Sequence, residues 1–119
     1  MATNKVFEDG EKLSLVVTDP ASPVSGDPVR IGEMTGVATT DERTDGTTSV
    51  DFGGVYDLSV KGINGAGNSA VAVGDQLFYV DADTPKISKK ATGRVVGFAL
   101  ETVTSGSTAT INVRLSPLG

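Results

Sequence analysis

The chain has 119 residues, with 15 acidic and 10 basic side chains, a net charge of −5, and neither cysteine nor histidine. Without those two residue types it has no disulfide, thiolate nucleophile, imidazole base or usual zinc or copper site. The acidic balance also opposes binding to nucleic acid, which needs a basic surface to neutralise phosphates. We therefore expect one small domain with no cofactor and no nucleic-acid partner.

The amino-terminal segment is polar apart from Val6 and Phe7 and has no apolar core of the kind found in signal peptides. The longest apolar run, residues 70–73, is far too short to cross a bilayer. We predict a soluble chain that is not exported and has no membrane partner. Residues 1–11 are predicted to form an extended N-terminal arm, and residues 12–119 a single β domain.

The rest of the chain shows the period-2 alternation of strands. Sixteen valines and 14 threonines favour the pleated surface of a sheet, and Gly, Asp, Asn, Ser and Pro separate the apolar segments. These signals predict an all-β fold, a small sandwich or barrel of short strands. The predicted strands are residues 12–18, 28–31, 34–40, 48–52, 55–60, 76–80, 94–103 and 108–115.

The sequence also contains an internal repeat. Gly26-Asp27-Pro28-Val29 is echoed 48 positions later by Gly74-Asp75-Gln76-Leu77, and Gly36-Val37-Ala38 is echoed 61 positions later by Gly97-Phe98-Ala99. The same offset of 61 pairs Val50 with Ile111. We predict two similar β motifs with equivalent Gly-Asp turns, in which Val37 and Phe98, and Val50 and Ile111, point into a shared core. Independent convergence of short Gly-Asp and Val-rich strings is the alternative.

The second copy is longer by 13 residues, which fall around residues 80–92. We predict a turn at Asp81-Ala82-Asp83-Thr84-Pro85 and a short additional strand within residues 86–90. This turn begins like a calcium-binding loop, but Pro85 stands where the third ligand would be. It is therefore interpreted as a polar turn.

No motif predicts catalysis. Residues 62–69 have the spacing of a phosphate-binding loop, but Asn68 replaces the lysine that contacts the phosphates, so we interpret this segment as a flexible surface loop. The carboxylate clusters lie in predicted turns or in the arm, where they are usually solvated. Phe52, Phe78 and Phe98 are predicted to be core residues, and Phe7 and Tyr79 contact residues.

Several short segments, in their order and spacing along the chain, resemble the small capsid cement, or decoration, proteins of tailed bacteriophages. They are Thr3-Asn4, Gly26-Asp27-Pro28-Val29, Gly36-Val37-Ala38, Gly54-Val55-Tyr56-Asp57-Leu58, Val71-Ala72-Val73-Gly74-Asp75-Gln76-Leu77-Phe78-Tyr79, Gly97-Phe98-Ala99-Leu100-Glu101 and Val113-Arg114-Leu115. Members of that family were also once labelled RecA-like recombinases. Asn68 gives that label no support.

The resemblance implies a non-enzymatic virion protein, made in the bacterial host cytoplasm, that binds the outer surface of the expanded head. Its implied partners are the major capsid protein and two further copies of itself in a homotrimer. Its implied role is to stabilise contacts between neighbouring capsomers. The candidate capsid or subunit contacts are Thr3, Asn4, Val6, Phe7 and Tyr79. The alternative is a carbohydrate-binding or adhesin-like β module of a phage tail, although the chain has no Trp and only two Tyr to form a sugar-binding surface.

Overall fold

The computed structural model describes residues 12–116. Within that range the regular secondary structure consists of β-strands and no helix, as predicted. The predicted strands are present with shifts of one or two residues at their ends, except that the strand predicted over residues 94–103 ends at Ala99. A short hairpin is also present within residues 62–69, a segment predicted to be a flexible loop. The strands are β1 (Lys12–Val16), β2 (Pro28–Ile31), β3 (Met34–Ala38), β4 (Thr47–Asp51), β5 (Val55–Lys61), β6 (Ile63–Asn64), β7 (Gly67–Asn68), β8 (Gln76–Tyr79), β9 (Ile87–Ser88), β10 (Arg94–Ala99) and β11 (Thr108–Leu115).

The first motif is a four-stranded antiparallel sheet in the order β1-β4-β3-β2. Its two edges meet where Asp19, just beyond β1, bridges to Arg30 in β2. The backbone N–H of Arg30 donates to the Asp19 carbonyl at 2.8 Å, and the N–H of Asp19 donates back at 3.1 Å. The sheet is therefore curled around a small core. That core consists of Val17, Val29, Ala38 and Val50.

The second motif is a closed five-stranded barrel, in the order β10-β11-β5-β9-β8. Without β9, its order β5-β11-β10-β8 is the same as that of the first sheet. The short strand β9 lies in the predicted insertion, pairs parallel with β5 and antiparallel with β8, and closes the barrel. The barrel interior holds a larger apolar core that includes Leu58, Leu77, Ile87 and Val113.

The two Gly-Asp turns are equivalent, which confirms that part of the repeat. Gly26 and Gly74 both have positive φ, 94° and 90°, a conformation that side chains disfavour. Each glycine N–H donates at 2.7 Å to an equivalent alanine carbonyl, that of Ala38 or Ala99. Each following aspartate also uses its carboxylate to accept a backbone N–H from three residues earlier, at 3.0 Å for Asp27 and 2.8 Å for Asp75.

The register of the last strand in each motif corrects the proposed alignment. Ala38 pairs with Val50 in the first sheet, and its counterpart Ala99 pairs with Val113 in the barrel. Val50 is therefore equivalent to Val113, 63 positions later, and not to Ile111. The predicted shared core is also wrong, because Val50 lies in the first core and Ile111 in the barrel core. Similarity of short strings could not detect this two-residue slip, because Ile111 and Val113 are both inward-facing and apolar.

The placement of the aromatic residues also differs from prediction. Phe52 is half-buried against the first core, as expected. Phe78 and Phe98 are instead half-buried on the outside of the barrel, because their neighbours Leu77 and Ala99 are the residues that point inward. Since successive side chains of a strand alternate between its two faces, Phe78 and Leu77 cannot share the same core.

Candidate interaction surfaces

The predicted contact residue Tyr79 is buried, with 1% of its surface exposed. Its ring lies in the barrel core, and its hydroxyl donates a hydrogen bond to the Asp19 carboxylate of the first motif. The expected surface position of Tyr79 is therefore corrected. The other predicted contacts, Thr3, Asn4, Val6 and Phe7, lie outside the described residues.

Around Tyr79, charged groups of the two motifs pair with one another. Lys86 Nζ lies 3.0 Å from Asp19 Oδ2 and 5.8 Å from the centre of the Tyr79 ring, a cation–π distance. Arg30 of β2 makes a two-pronged contact with Asp81 in the insertion, at 2.8 and 2.7 Å. This arrangement ties the insertion of the second motif to the first sheet.

The pKa values in this cluster follow from its contacts. Burial, together with the hydrogen bond to Asp19, raises the pKa of the Tyr79 hydroxyl well above its usual range. The hydrogen bond from Arg30 lowers the pKa of Asp81. Tyr79 thus stays protonated and Asp81 ionised at neutral pH, which keeps both interactions intact.

A second Tyr–Asp pair joins the motifs where the chain passes from one to the other. The Tyr56 hydroxyl of β5 donates to the carboxylate of Asp51 in β4, which also accepts the Gly53 N–H at 3.1 Å. Asp51 is only 6% exposed. This hydrogen bond, together with partial burial, raises the pKa of Tyr56 to about 12.

One face of the first sheet is buried against the second motif. Cross-strand partners share a face, so Val37 lies on the same face as Pro28 and Asp51, and Thr35 on the same face as Arg30. We call these five residues the first-sheet outer face. Arg30 and Asp51 make the contacts already described, the Thr35 hydroxyl donates to the Val95 carbonyl at 2.7 Å, and Val37 packs into the barrel core at 1% exposure.

The equivalent face of the second motif is partly exposed to solvent. Val55, Arg114, Phe98 and Gln76 are successive cross-strand partners on four neighbouring strands, and Phe78 lies two residues along from Gln76. We call these five residues the barrel-wall face. Arg114 is exposed, Val55 is 53% exposed, and the other three are half-buried.

Sequence reasoning did not identify the barrel-wall face, although strand alternation carries the signal. In β11, Ile111, Val113 and Leu115 are buried at every second position, so Arg114 must point outward. The register then places Phe98 beside Arg114 on the same side. What the sequence could not supply was the register between strands distant in the chain.

Two clefts lie where the motifs meet. One, of about 290 Å³, is lined by Pro20, Pro28, Pro85 and Lys86, among others. The other, of about 300 Å³, lies beside Arg30, Asp81 and Arg94. Both cations there are paired, Arg30 with Asp81, and Arg94 with Glu33 at 2.6 Å. Neither cleft therefore offers a free charged group among the residues named here.

The motifs that suggested chemistry have structural roles. Within residues 62–69, β6 and β7 form a hairpin, and the Asn64 side chain accepts the N–H groups of Ala66 and Gly67 at 2.8 and 3.1 Å. A strand conformation replaces the helix that a phosphate loop must precede. In the calcium-like turn, Asp83 pairs with Lys90 at 2.9 Å.

Within residues 12–116, acidic residues do not form any group of three that could hold a metal ion. The same part of the chain contains no helix long and apolar enough to span a membrane.

The fold is all-β and consists of two similar motifs, a curled four-stranded sheet and a closed five-stranded barrel. The sequence profile of the phage cement proteins matches residues 7–115, and the chain belongs to that family. Membership implies a structural role as a component of the phage capsid. Neither curated proteins nor solved structures gave a significant match.

Proposed function

We propose that this protein binds the outer surface of the expanded phage head as a homotrimer. Its partner there is the major capsid protein, and its binding stabilises the contacts between neighbouring capsomers. The observation that carries this proposal is the family match over residues 7–115, which spans both β motifs. The exposed apolar side chains Val16, Val55 and Val73, at 67%, 53% and 64% exposure, support a binding role because they provide surface to bury.

We also propose that residues 1–11 form an arm that contributes to head binding, with Thr3, Asn4, Val6 and Phe7 as its contacts. Val6 and Phe7 are the apolar pair in an otherwise polar stretch. Burying them on a neighbour would contribute about 1.5–3 kcal/mol each, while ordering the backbone costs about 1 kcal/mol or more per residue. The net gain per arm is small, so three arms acting together would provide the useful affinity.

Head binding is tested by mixing the purified protein with expanded and unexpanded heads and measuring the bound fraction by cosedimentation. We expect saturable binding to expanded heads and a higher temperature for release of their DNA. Mass spectrometry of purified virions should find the chain in many copies per particle. Its absence from virions, or an equal release temperature with and without saturating protein, contradicts the proposal.

A further inference from the structure

We propose that the barrel-wall face is the surface through which this protein binds a second copy of itself. The inference rests on the proposed self-association, for which it names the contact, but it does not depend on head binding. It commits to one occupant, another chain of the same sequence.

The internal repeat indicates the kind of surface that covers this face. Each residue of the first-sheet outer face has a counterpart in the barrel: Pro28 in Gln76, Arg30 in Phe78, Thr35 in Val95, Val37 in Phe98 and Asp51 in Arg114. In the first motif, the second motif of the same chain covers this face. On the barrel, Gln76, Phe78 and Phe98 of this face are only partly buried and Arg114 is exposed. The unit that fits this face by analogy is another β motif of this fold.

The composition of the barrel-wall face supports a buried contact. The solvent side of an antiparallel sheet is usually polar, yet this one carries Phe78 and Phe98 half-buried and Val55 half-exposed. Aromatic residues and arginine are the residue types enriched at protein interfaces. Arg114 lies between Val55 and Phe98 and suits a carboxylate of the partner, which a chain with a net charge of −5 supplies readily.

The geometry of the contact follows from the intrachain precedent. Within one chain, the first-sheet outer face packs on a surface of the second motif other than the barrel-wall face. By analogy, the contact between two chains joins two different surfaces and is heterologous. A heterologous contact repeated between chains generates a ring when the rotation closes. A ring of three such contacts would form the proposed homotrimer.

The test measures the mass of the full-length protein by sedimentation velocity across a range of concentrations. Phe98→Glu and Arg114→Glu each place a negative charge on the barrel-wall face, and Thr110→Glu places the same charge at an exposed position further along β11. We expect the wild type and Thr110→Glu to associate equally. For the two face variants, the concentration at which half of the oligomer has dissociated should be at least about tenfold higher than for the wild type, as expected for residues central to an interface.

A second measurement keeps the proposal testable if Phe98→Glu fails to fold. Because the chain has no cysteine, Val55→Cys provides a single labelling site on the face. A spin label there should lose mobility on association, and one at Thr110→Cys should not.

The proposal is overturned if the wild type is a monomer at all concentrations, or if Arg114→Glu folds and associates like the wild type. It is also overturned if deletion of residues 1–11 abolishes association while the face variants do not affect it. Head binding scored separately on the same proteins distinguishes failure of this contact from failure of the capsid role.

Discussion

The hydroxyl of Tyr79, at the end of the barrel core, donates a hydrogen bond to the carboxylate of Asp19 in the first motif. Tyr79 therefore belongs to both halves of the molecule: its ring packs in one, and its polar group is satisfied by the other. A buried tyrosine needs such a partner. The contact makes the folding of the barrel and the docking of the first sheet mutually dependent.

Removing the Tyr79 hydroxyl tests this relationship. We expect Tyr79→Phe to lower the free energy of unfolding by about 1–3 kcal/mol, because a hydrogen bond to a charged acceptor is lost. Urea unfolding measures the change. Ser14→Ala, which removes an exposed hydroxyl contact of 3.4 Å to Ser49, should change the free energy by less than about 0.5 kcal/mol. Equal stability of Tyr79→Phe and the wild type would show that the pair does not couple the motifs.

The two Tyr–Asp pairs predict a loss of stability at alkaline pH. In the folded protein the pKa of Tyr56 is about 12, against an ordinary value of 10. Above pH 10 the unfolded chain therefore binds fewer protons at this site than the folded one, so stability falls as pH rises from 10 to 12, by at most about 1.4 kcal/mol per pH unit. Tyr79, whose pKa is also raised, contributes in the same direction.

Thermal unfolding of the wild type and Tyr56→Phe between pH 8 and 12 measures this effect. The variant should be less stable at pH 8 and should lose less stability between pH 10 and 12, so that the two curves converge. Parallel curves would mean that the Tyr56 hydroxyl has the same proton affinity in the folded and unfolded chains.

Gly97 is required by the close approach of β10 and β11. A Cβ atom at this position would lie 1.9 Å from the Arg114 carbonyl oxygen, and at the equivalent Gly36 it would lie 2.7 Å from the Asp51 carbonyl oxygen. We expect Gly97→Ala to cost about 2–4 kcal/mol, because the backbone of β11 must move, and Gly36→Ala to cost less. Gly65→Ala is the control, since no atom lies within 4 Å of its added Cβ. Chemical denaturation should rank the three variants in that order, and similar midpoints would contradict the predicted clash.

The proposed arm is tested by deleting residues 2–7. The shortened protein should remain folded, with an unchanged circular dichroism spectrum, and should bind expanded heads more weakly. Val6→Ser combined with Phe7→Ser keeps the length of the arm and isolates the contribution of its apolar pair. Head occupancy equal to that of the wild type in both variants would remove the arm from the binding surface.

Local chemistry was readable from the sequence. Alternating valines and threonines predicted the strands, because strand preference and the period of 2 depend on neighbouring residues alone. Both Gly-Asp turns were predicted correctly, since a glycine with positive φ and an aspartate that caps its own turn act within a few residues. The additional strand in the insertion was also recognised, at residues 87–88 within the predicted range 86–90.

Only the tertiary structure decided which way the alternating side chains face and what covers them. Val37 and Phe98 occupy the same position in their two sheets, yet Val37 is 1% exposed and Phe98 is half-buried on the outside. The difference arises because the barrel packs on the first sheet and leaves its own equivalent face partly exposed. This is a relation between segments that lie far apart in the chain. Burial of Tyr79 depends on the same docking. Pairing register and packing between distant segments are properties of the folded chain, whereas strand and turn preference are properties of a few adjacent residues.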